Sequence, residues 1–169
     1  ENLFVEVGTG LIKRFSSFDL EAGKIRVALI VNKNWTDKEF KKTYRVMEKY
    51  ESNINSKKVN FVELKNYLSG KRQFLLNLIQ NPNILEHELF TDLVWSVFHF
   101  EDELAHREVF NKLPEADYEH LSADITRVYK KIILQWLNYM KYLKKDYPYL
   151  FSLAMRTNPF DSKASVELK

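Results

Sequence analysis

The distribution of glycine is the feature that most restricts how this chain of 169 residues can fold. Its four glycines are Gly8, Gly10, Gly23 and Gly70, so residues 71–169 contain none. Sheet proteins and nucleotide-binding α/β folds need glycine for tight turns and for phosphate-binding loops. This distribution therefore predicts that the C-terminal part of the chain is helical.

Two segments near the N-terminus have the pattern of strands instead. Residues 25–31 form a short, β-branched run between Gly23 and Asn32, and residues 3–7 form a weaker one before Gly8. Short runs of this kind, bounded by turn residues, are typical of strands. We therefore predict a small two-stranded β element and linker over residues 1–35.

Residues 36–161 carry the end signals and the periodicity of a helical bundle. Thr36 with Glu39 forms a capping box, which predicts a helix to about Tyr50. Further helices are predicted over residues 60–80 with a break at Ser69-Gly70, then over residues 84–111, 114–146 and 149–156. The predicted fold class is mainly α, one compact domain: a bundle of four to five helices with a small N-terminal two-stranded β element, and a frayed tail at residues 162–169.

Charge is concentrated in one part of the chain. The net charge is only +3, but residues 81–125 contain 2 basic and 11 acidic residues, a balance of −9. Residues 1–58, 59–80 and 126–169 have balances of +4, +2 and +6. We expect the acidic stretch to face basic neighbours or to attract cations.

All four histidines lie in this acidic stretch, and two of them are followed by a carboxylate four residues later. His99 and Glu103 lie on the third predicted helix with His106 on the same side, while His120 and Asp124 lie on the fourth. Imidazole and carboxylate groups on adjacent helices hold metals in helical bundles. If the two helices pack antiparallel, these five residues come to similar heights. They are the candidate metal ligands, for a divalent ion such as zinc or nickel bound by neutral imidazole, with binding expected to weaken below a pH of about 6.

A simpler interpretation of the same residues stays open. Acid–histidine pairs four residues apart also occur on the solvated face of an amphipathic helix. The helical wheel places His120 and Asp124 at the edge or the back of the apolar stripe of the fourth helix, so the sequence leaves their direction undecided. The Glu-x-x-His spacing of ferritin-like di-iron sites does not repeat on two helices.

The sequence contains no catalytic motif that we recognise. It has no cysteine, which excludes a disulfide framework and a thiolate nucleophile or metal site. Gly8-Thr9-Gly10 lacks the third glycine or the lysine of a phosphate-binding loop. We therefore predict no catalytic residue and no cofactor beyond a divalent metal, and a helical enzyme is the least favoured class. Basic residues on the fourth helix suit an anionic membrane surface, but solvated lysines are the commoner explanation of such a pattern. No nucleic-acid partner is expected, because an acidic helix lies beside them.

Three stretches of the chain resemble a known group of proteins. They are residues 85–99 (LEHELFTDLVWSVFH), 113–121 (LPEADYEHL) and 147–160 (YPYLFSLAMRTNPF). Together, over roughly residues 83–161, they are similar to the soluble helical C-terminal domain of prokaryotic membrane proteins, some of them potassium-channel-like. The T-x-G-Y-G-like filter of such pores is absent from this sequence, so only a segment upstream of Glu1 could supply a pore.

Two functional hypotheses follow. The favoured one, which rests on the resemblance, is a non-catalytic, cytoplasmic helical domain that associates with itself or regulates a membrane protein attached through an upstream segment. The alternative is a stand-alone metal- or ligand-binding helical sensor domain. A hydrophobic span of about 20 residues directly before Glu1 would favour the first hypothesis.

Overall fold

The computed structural model describes residues 3–168, and the regular secondary structure of this part of the chain is helical, apart from one isolated β-bridge between Asp19 and Ile54. A π-helical turn at Phe4–Gly8 leads into the first helix, and 3-10 turns occur at Val27–Leu29, Ser56–Lys58 and Pro82–Ile84. The α-helices are α1 (Thr9–Phe18), α2 (Ala22–Arg26), α3 (Asp37–Glu48), α4 (Phe61–Ser69), α5 (Arg72–Ile79), α6 (Glu88–Ala105), α7 (Glu115–Asp146) and α8 (Pro148–Arg156).

Helix α7 is the centre of the fold. Its 32 residues extend over about 48 Å at the rise of an α-helix, and α1, α3, α6 and α8 all pack against it. Trp136 and Tyr129 on α7 are among the largest fully buried side chains. Helices α4 and α5 pack on α6, so α6 lies between them and α7. No helix within residues 3–168 is both long and apolar enough to cross a membrane.

The prediction of a two-stranded β element is wrong, and so is the count of four to five helices. Within residues 3–15 the buried apolar side chains follow helical spacing, namely Leu3, Phe4, Val7, Leu11 and Phe15. Phe4 stacks on Tyr139 of α7 with ring centroids 4.8 Å apart. The predicted strand at residues 25–31 instead forms the end of α2 and a 3-10 turn, and Ile25 and Leu29 are buried there.

Several helix ends are where the sequence predicted them. Thr36 accepts a hydrogen bond from the backbone of Lys38 and forms the capping box with Glu39. The helical region between residues 60 and 80 is divided at Gly70 into α4 and α5. Helix α6 is shorter than predicted, because residues 82–84 form a separate 3-10 turn and the helix ends at Ala105.

A glycine in α1 has a packing role. Gly10 lies directly beneath the hydroxyl of Tyr67, and a Cβ atom there would overlap that hydroxyl. Because glycine has no Cβ atom, the Tyr67 hydroxyl can lie close to the backbone of α1 and donate a hydrogen bond to the carbonyl oxygen of Val7 at 3.1 Å. Gly10 thus serves the contact between α1 and α4.

Asp19, at the end of α1, connects two distant segments. Its Oδ1 accepts hydrogen bonds from the backbone N–H groups of Glu21 (3.0 Å) and Asn53 (2.9 Å), and its Oδ2 accepts one from the hydroxyl of Tyr50. The side chain is only 6% exposed. Burial and the neighbouring Asp19 raise the pKa of Tyr50 well above the ordinary tyrosine range.

The two ends of the described chain also meet. Phe160 packs edge-on against Trp136, with ring centroids 5.1 Å apart. The side-chain amide of Asn158, which is buried, donates to the carbonyl oxygen of Leu29 at 2.8 Å. This contact fixes the turn after α2 to the segment after α8.

Candidate metal centre

Helices α6 and α7 run in opposite directions, which was the condition for the candidate ligands to come to similar heights, and residues 106–114 connect them. His99 of α6 contacts Asp124 of α7, while Glu103, one turn further along α6, contacts His120, one turn earlier on α7. Residue numbers therefore rise along one helix as they fall along the other.

Each helix contributes a histidine and, four residues later, a carboxylate. His99 Nε2 lies 3.8 Å from Glu103 Oε1 and 3.6 Å from Asp124 Oδ2. His120 Nε2 lies 3.5 Å from Glu103 Oε1 and 3.4 Å from Asp124 Oδ2. One ligand atom each from His99, Glu103 and His120 lie within 4.8 Å of one another. We call His99, Glu103, His120 and Asp124 the His–acid cluster.

The nitrogen–oxygen distances in the cluster are close to those between the ligands of a zinc ion. Zinc bonds to nitrogen and oxygen of about 2.0–2.2 Å place neighbouring ligand atoms of a tetrahedron about 3.3 Å apart. The four nitrogen–oxygen distances in the His–acid cluster, 3.4 to 3.8 Å, exceed that value only slightly. Ligand atoms of His99, Glu103 and His120 therefore lie close enough together to fit a divalent ion, and Asp124 Oδ2 lies beside both imidazoles.

Asp124 is the buried member of the cluster. Its side chain is 1% exposed, and Oδ1 accepts a hydrogen bond from Arg127 Nη1 at 2.7 Å. Its Oδ2 is buried and has no hydrogen-bond partner, although it faces both imidazoles. A buried carboxylate oxygen without a donor is costly, and native structures rarely contain one without a reason. A bound cation would supply the missing partner.

The other carboxylate is held in its ionised form. Arg107 Nη1 donates to Glu103 Oε2 at 2.6 Å, and this hydrogen bond holds the pKa of Glu103 below its usual range. Arg107 Nη2 also reaches Asp117 Oδ1 at 3.3 Å. The arginine therefore fixes Glu103 in place while it offsets part of the negative charge around the cluster.

The histidines are accessible, and one predicted ligand lies elsewhere. The side chains of His99 and His120 are about half exposed, which leaves a path for an ion from solvent.

His106 is not brought to the cluster. Its side chain is 76% exposed, and its Nδ1 lies 2.8 Å from the carbonyl oxygen of Asp102.

Sequence reasoning did not single out two arginines that flank the cluster. Arg107 lies four residues after Glu103, and Arg127 lies three residues after Asp124. Both spacings place side chains on one helix face. The spacings of four and three residues could therefore have identified Arg107 and Arg127 as neighbours of the two carboxylates.

The fold and this cluster define an all-helical domain with a polar site between two antiparallel helices. The chain belongs to the family described as the C-terminal helical domain of uncharacterized protein MJ1433, whose sequence model matches residues 2–156. It is similar to uncharacterized protein MJ1433 of Methanocaldococcus jannaschii, with 45% identity over 165 residues. That match covers 98% of this chain and 66% of the relative. No solved structure matches.

The family assignment confirms the coarser part of the resemblance, namely a helical C-terminal domain. The comparisons contain nothing about a membrane or a potassium channel. That part of the resemblance stays a prediction.

Proposed function

We propose that this domain binds a divalent transition-metal ion, such as zinc or nickel, at the His–acid cluster and acts as a non-catalytic helical metal sensor. The observation that carries the proposal is the buried, unpartnered Oδ2 of Asp124, which faces two imidazole nitrogens at 3.6 and 3.4 Å. Two imidazole nitrogens and two carboxylate oxygens are a donor set that zinc accepts.

The mirrored arrangement supports the proposal over a solvated acidic face. On an exposed face, acid–histidine pairs would point to water from separate helices. Here ligand atoms of His99, Glu103 and His120 meet between α6 and α7, and the carboxylate of Asp124 beside the two histidines is almost completely buried. A cation bound between the two imidazoles and the buried carboxylate would offset the cost of burying that carboxylate.

Calorimetric titration of the metal-free protein with zinc at pH 7 tests the proposal. We expect one ion per chain in the wild type. Because loss of a supporting residue around a metal typically lowers affinity about 10- to 100-fold, loss of a direct ligand in His99→Ala or His120→Ala should cost at least about tenfold. His106→Ala is the matched control, since it removes an exposed imidazole outside the cluster, and it should bind zinc like the wild type.

Two results would contradict metal binding at this site. One is an absence of heat above the dilution background in the wild type. The other is equal affinity in the wild type and in all three alanine variants. Either result would leave the cluster as a solvated acid–histidine face.

We propose, as a second function, that the domain assembles or regulates an attached prokaryotic membrane protein of ion-channel-like type and is cytoplasmic. Two observations favour a larger parent protein: the family is described as a C-terminal domain, and the match spans 66% of the relative. Alkaline carbonate extraction of membranes containing the full-length relative tests the attachment. Retention in the membrane pellet supports an integral segment, and complete release contradicts it.

A further inference from the structure

Helix α3 carries a row of cations that the metal proposal does not use. Lys38, Lys41, Lys42, Arg45 and Lys49 follow one another at spacings of one to four residues and lie on the face opposite the buried Phe40 and Met47. All five are exposed. At the rise of an α-helix, the row extends over about 16 Å. We call these five residues the α3 basic stripe.

The stripe carries an excess of positive charge. Within residues 3–168, none of its five side chains forms an ion pair, whereas the nearby Lys141 lies 3.7 Å from Asp37. Among the acids of α3, Glu39 is engaged in the capping box, while Asp37 and Glu48 line the same groove as Lys41 and Arg45. These acids offset part of the charge, and the remaining like charges on one helix face repel each other, so an anionic partner would stabilise the stripe.

The acidic stretch of a second copy, residues 81–125, does not offer a matching row of free carboxylates. Six of the acidic residues between positions 81 and 125 are already paired with cations of the same chain: Asp92, Glu101, Asp102, Glu103, Asp117 and Asp124. The remaining five lie near the two ends of α6 and at the start of α7: Glu86, Glu88, Glu108, Glu115 and Glu119. No acidic row of similar length therefore faces outward from this part of the chain.

The composition of the stripe also disfavours nucleic acid. Proteins that hold single strands interleave aromatic side chains with cations, and none of the five stripe residues is aromatic. The stripe contains four lysines and one arginine, and its exposed apolar neighbour is Val46, which is 51% exposed. Lysine acts as a point charge on a flexible stem, which suits a diffuse negative surface.

We propose that the α3 basic stripe binds the anionic headgroups of a lipid membrane surface. The row is straight and lies on an outward face, so all five cations can meet one plane together. Val46 beside the row can contact the boundary of the acyl region. The contact is peripheral and electrostatic, and it does not depend on metal binding at the His–acid cluster.

Co-sedimentation with vesicles of phosphatidylglycerol and phosphatidylcholine, at low salt, tests the proposal. Each lysine or arginine near an anionic surface contributes about fivefold to binding, so replacing all five stripe cations by glutamine should weaken binding at least about a hundredfold. The matched control replaces five exposed, scattered lysines by glutamine and gives the same net charge: Lys13, Lys57, Lys58, Lys112 and Lys163. It should retain most of the binding.

Several outcomes would overturn the proposal. These are no binding by the wild type, equal binding to phosphatidylcholine alone, or equal losses in the two glutamine variants. Tighter binding to duplex RNA than to vesicles, lost in the stripe variant, would assign the stripe to nucleic acid. A salt-sensitive dimer that the stripe variant loses would assign it to a second copy.

Discussion

Replacing Asp19 by alanine should destabilise the fold by an amount that can be worked out from its hydrogen bonds. The side chain accepts three of them, from two backbone N–H groups and from the Tyr50 hydroxyl. At about 1 kcal/mol each, Asp19→Ala should lower the free energy of unfolding by about 3 kcal/mol. For a chain of this size, that corresponds to a fall in Tm of about 6–12 °C.

Two further variants divide this effect. Asp19→Asn keeps an oxygen for the two backbone donors and alters the contact with Tyr50, so it should cost about 1 kcal/mol. Asp161→Ala is the control, because Asp161 also accepts a backbone N–H two residues ahead, from Lys163 at 2.8 Å, but in the C-terminal tail. It should stay within about 0.5 kcal/mol of the wild type.

Urea unfolding followed by far-UV circular dichroism measures these differences, with Tyr50→Phe completing a double-mutant cycle. Because the Tyr50 pKa is raised in the folded state, its contribution to stability is present below the ordinary tyrosine value of about 10 and is lost as the pH rises above it. Tyr50→Phe should flatten that alkaline loss. The reasoning is refuted if Asp19→Asn costs as much as Asp19→Ala, or if Asp19→Ala and Tyr50→Phe are additive.

Other changes test separate features of the fold, each by urea unfolding. Thr36→Ala removes the N-cap of α3 and should cost about 1 kcal/mol, whereas a loss below about 0.3 kcal/mol would contradict the capping role. Gly10→Ala places a methyl group against the Tyr67 hydroxyl and should cost about 1–3 kcal/mol, with a smaller loss in a Tyr67→Phe background. Burial raises the pKa of Glu101, so its favourable contribution is present at acid pH and is lost as the pH rises through the raised value. Glu101→Gln should flatten that part of the pH profile and change stability by about 1 kcal/mol at pH 7, and an unchanged profile would contradict this explanation.

Local signals in the sequence predicted helix ends well. The capping box at Thr36 and the break at Gly70 depend on a few neighbouring residues, and both are present in the structure. The convergence of the two histidine–carboxylate pairs was also foreseeable, because a spacing of four residues on antiparallel helices fixes relative heights. The sequence could not show that the Asp124 side chain points towards α6, because this depends on how far α7 is rotated about its own axis.

The N-terminal region shows why the rest was not predictable. Residues 25–31 have a local preference for a strand, yet the carbonyl oxygen of Leu29 accepts a hydrogen bond from Asn158, 129 residues later. A contact at that distance in sequence overrides local propensity and leaves no trace in the segment itself. At residues 3–15 the apolar residues did have helical spacing, but Gly8 suggested a turn that ends a short strand at residues 3–7.

The contact between Leu29 and Asn158 also determines when the protein can finish folding during synthesis. A ribosome that adds roughly 5–20 residues per second needs on the order of 10 s to make the 129 residues between them. For most of that interval the apolar side chains of α1 and α2 have neither α7 nor the segment after α8 to cover them. The N-terminal third of the domain therefore waits for nearly the whole chain, and chaperones that shield apolar segments have that interval in which to act on it.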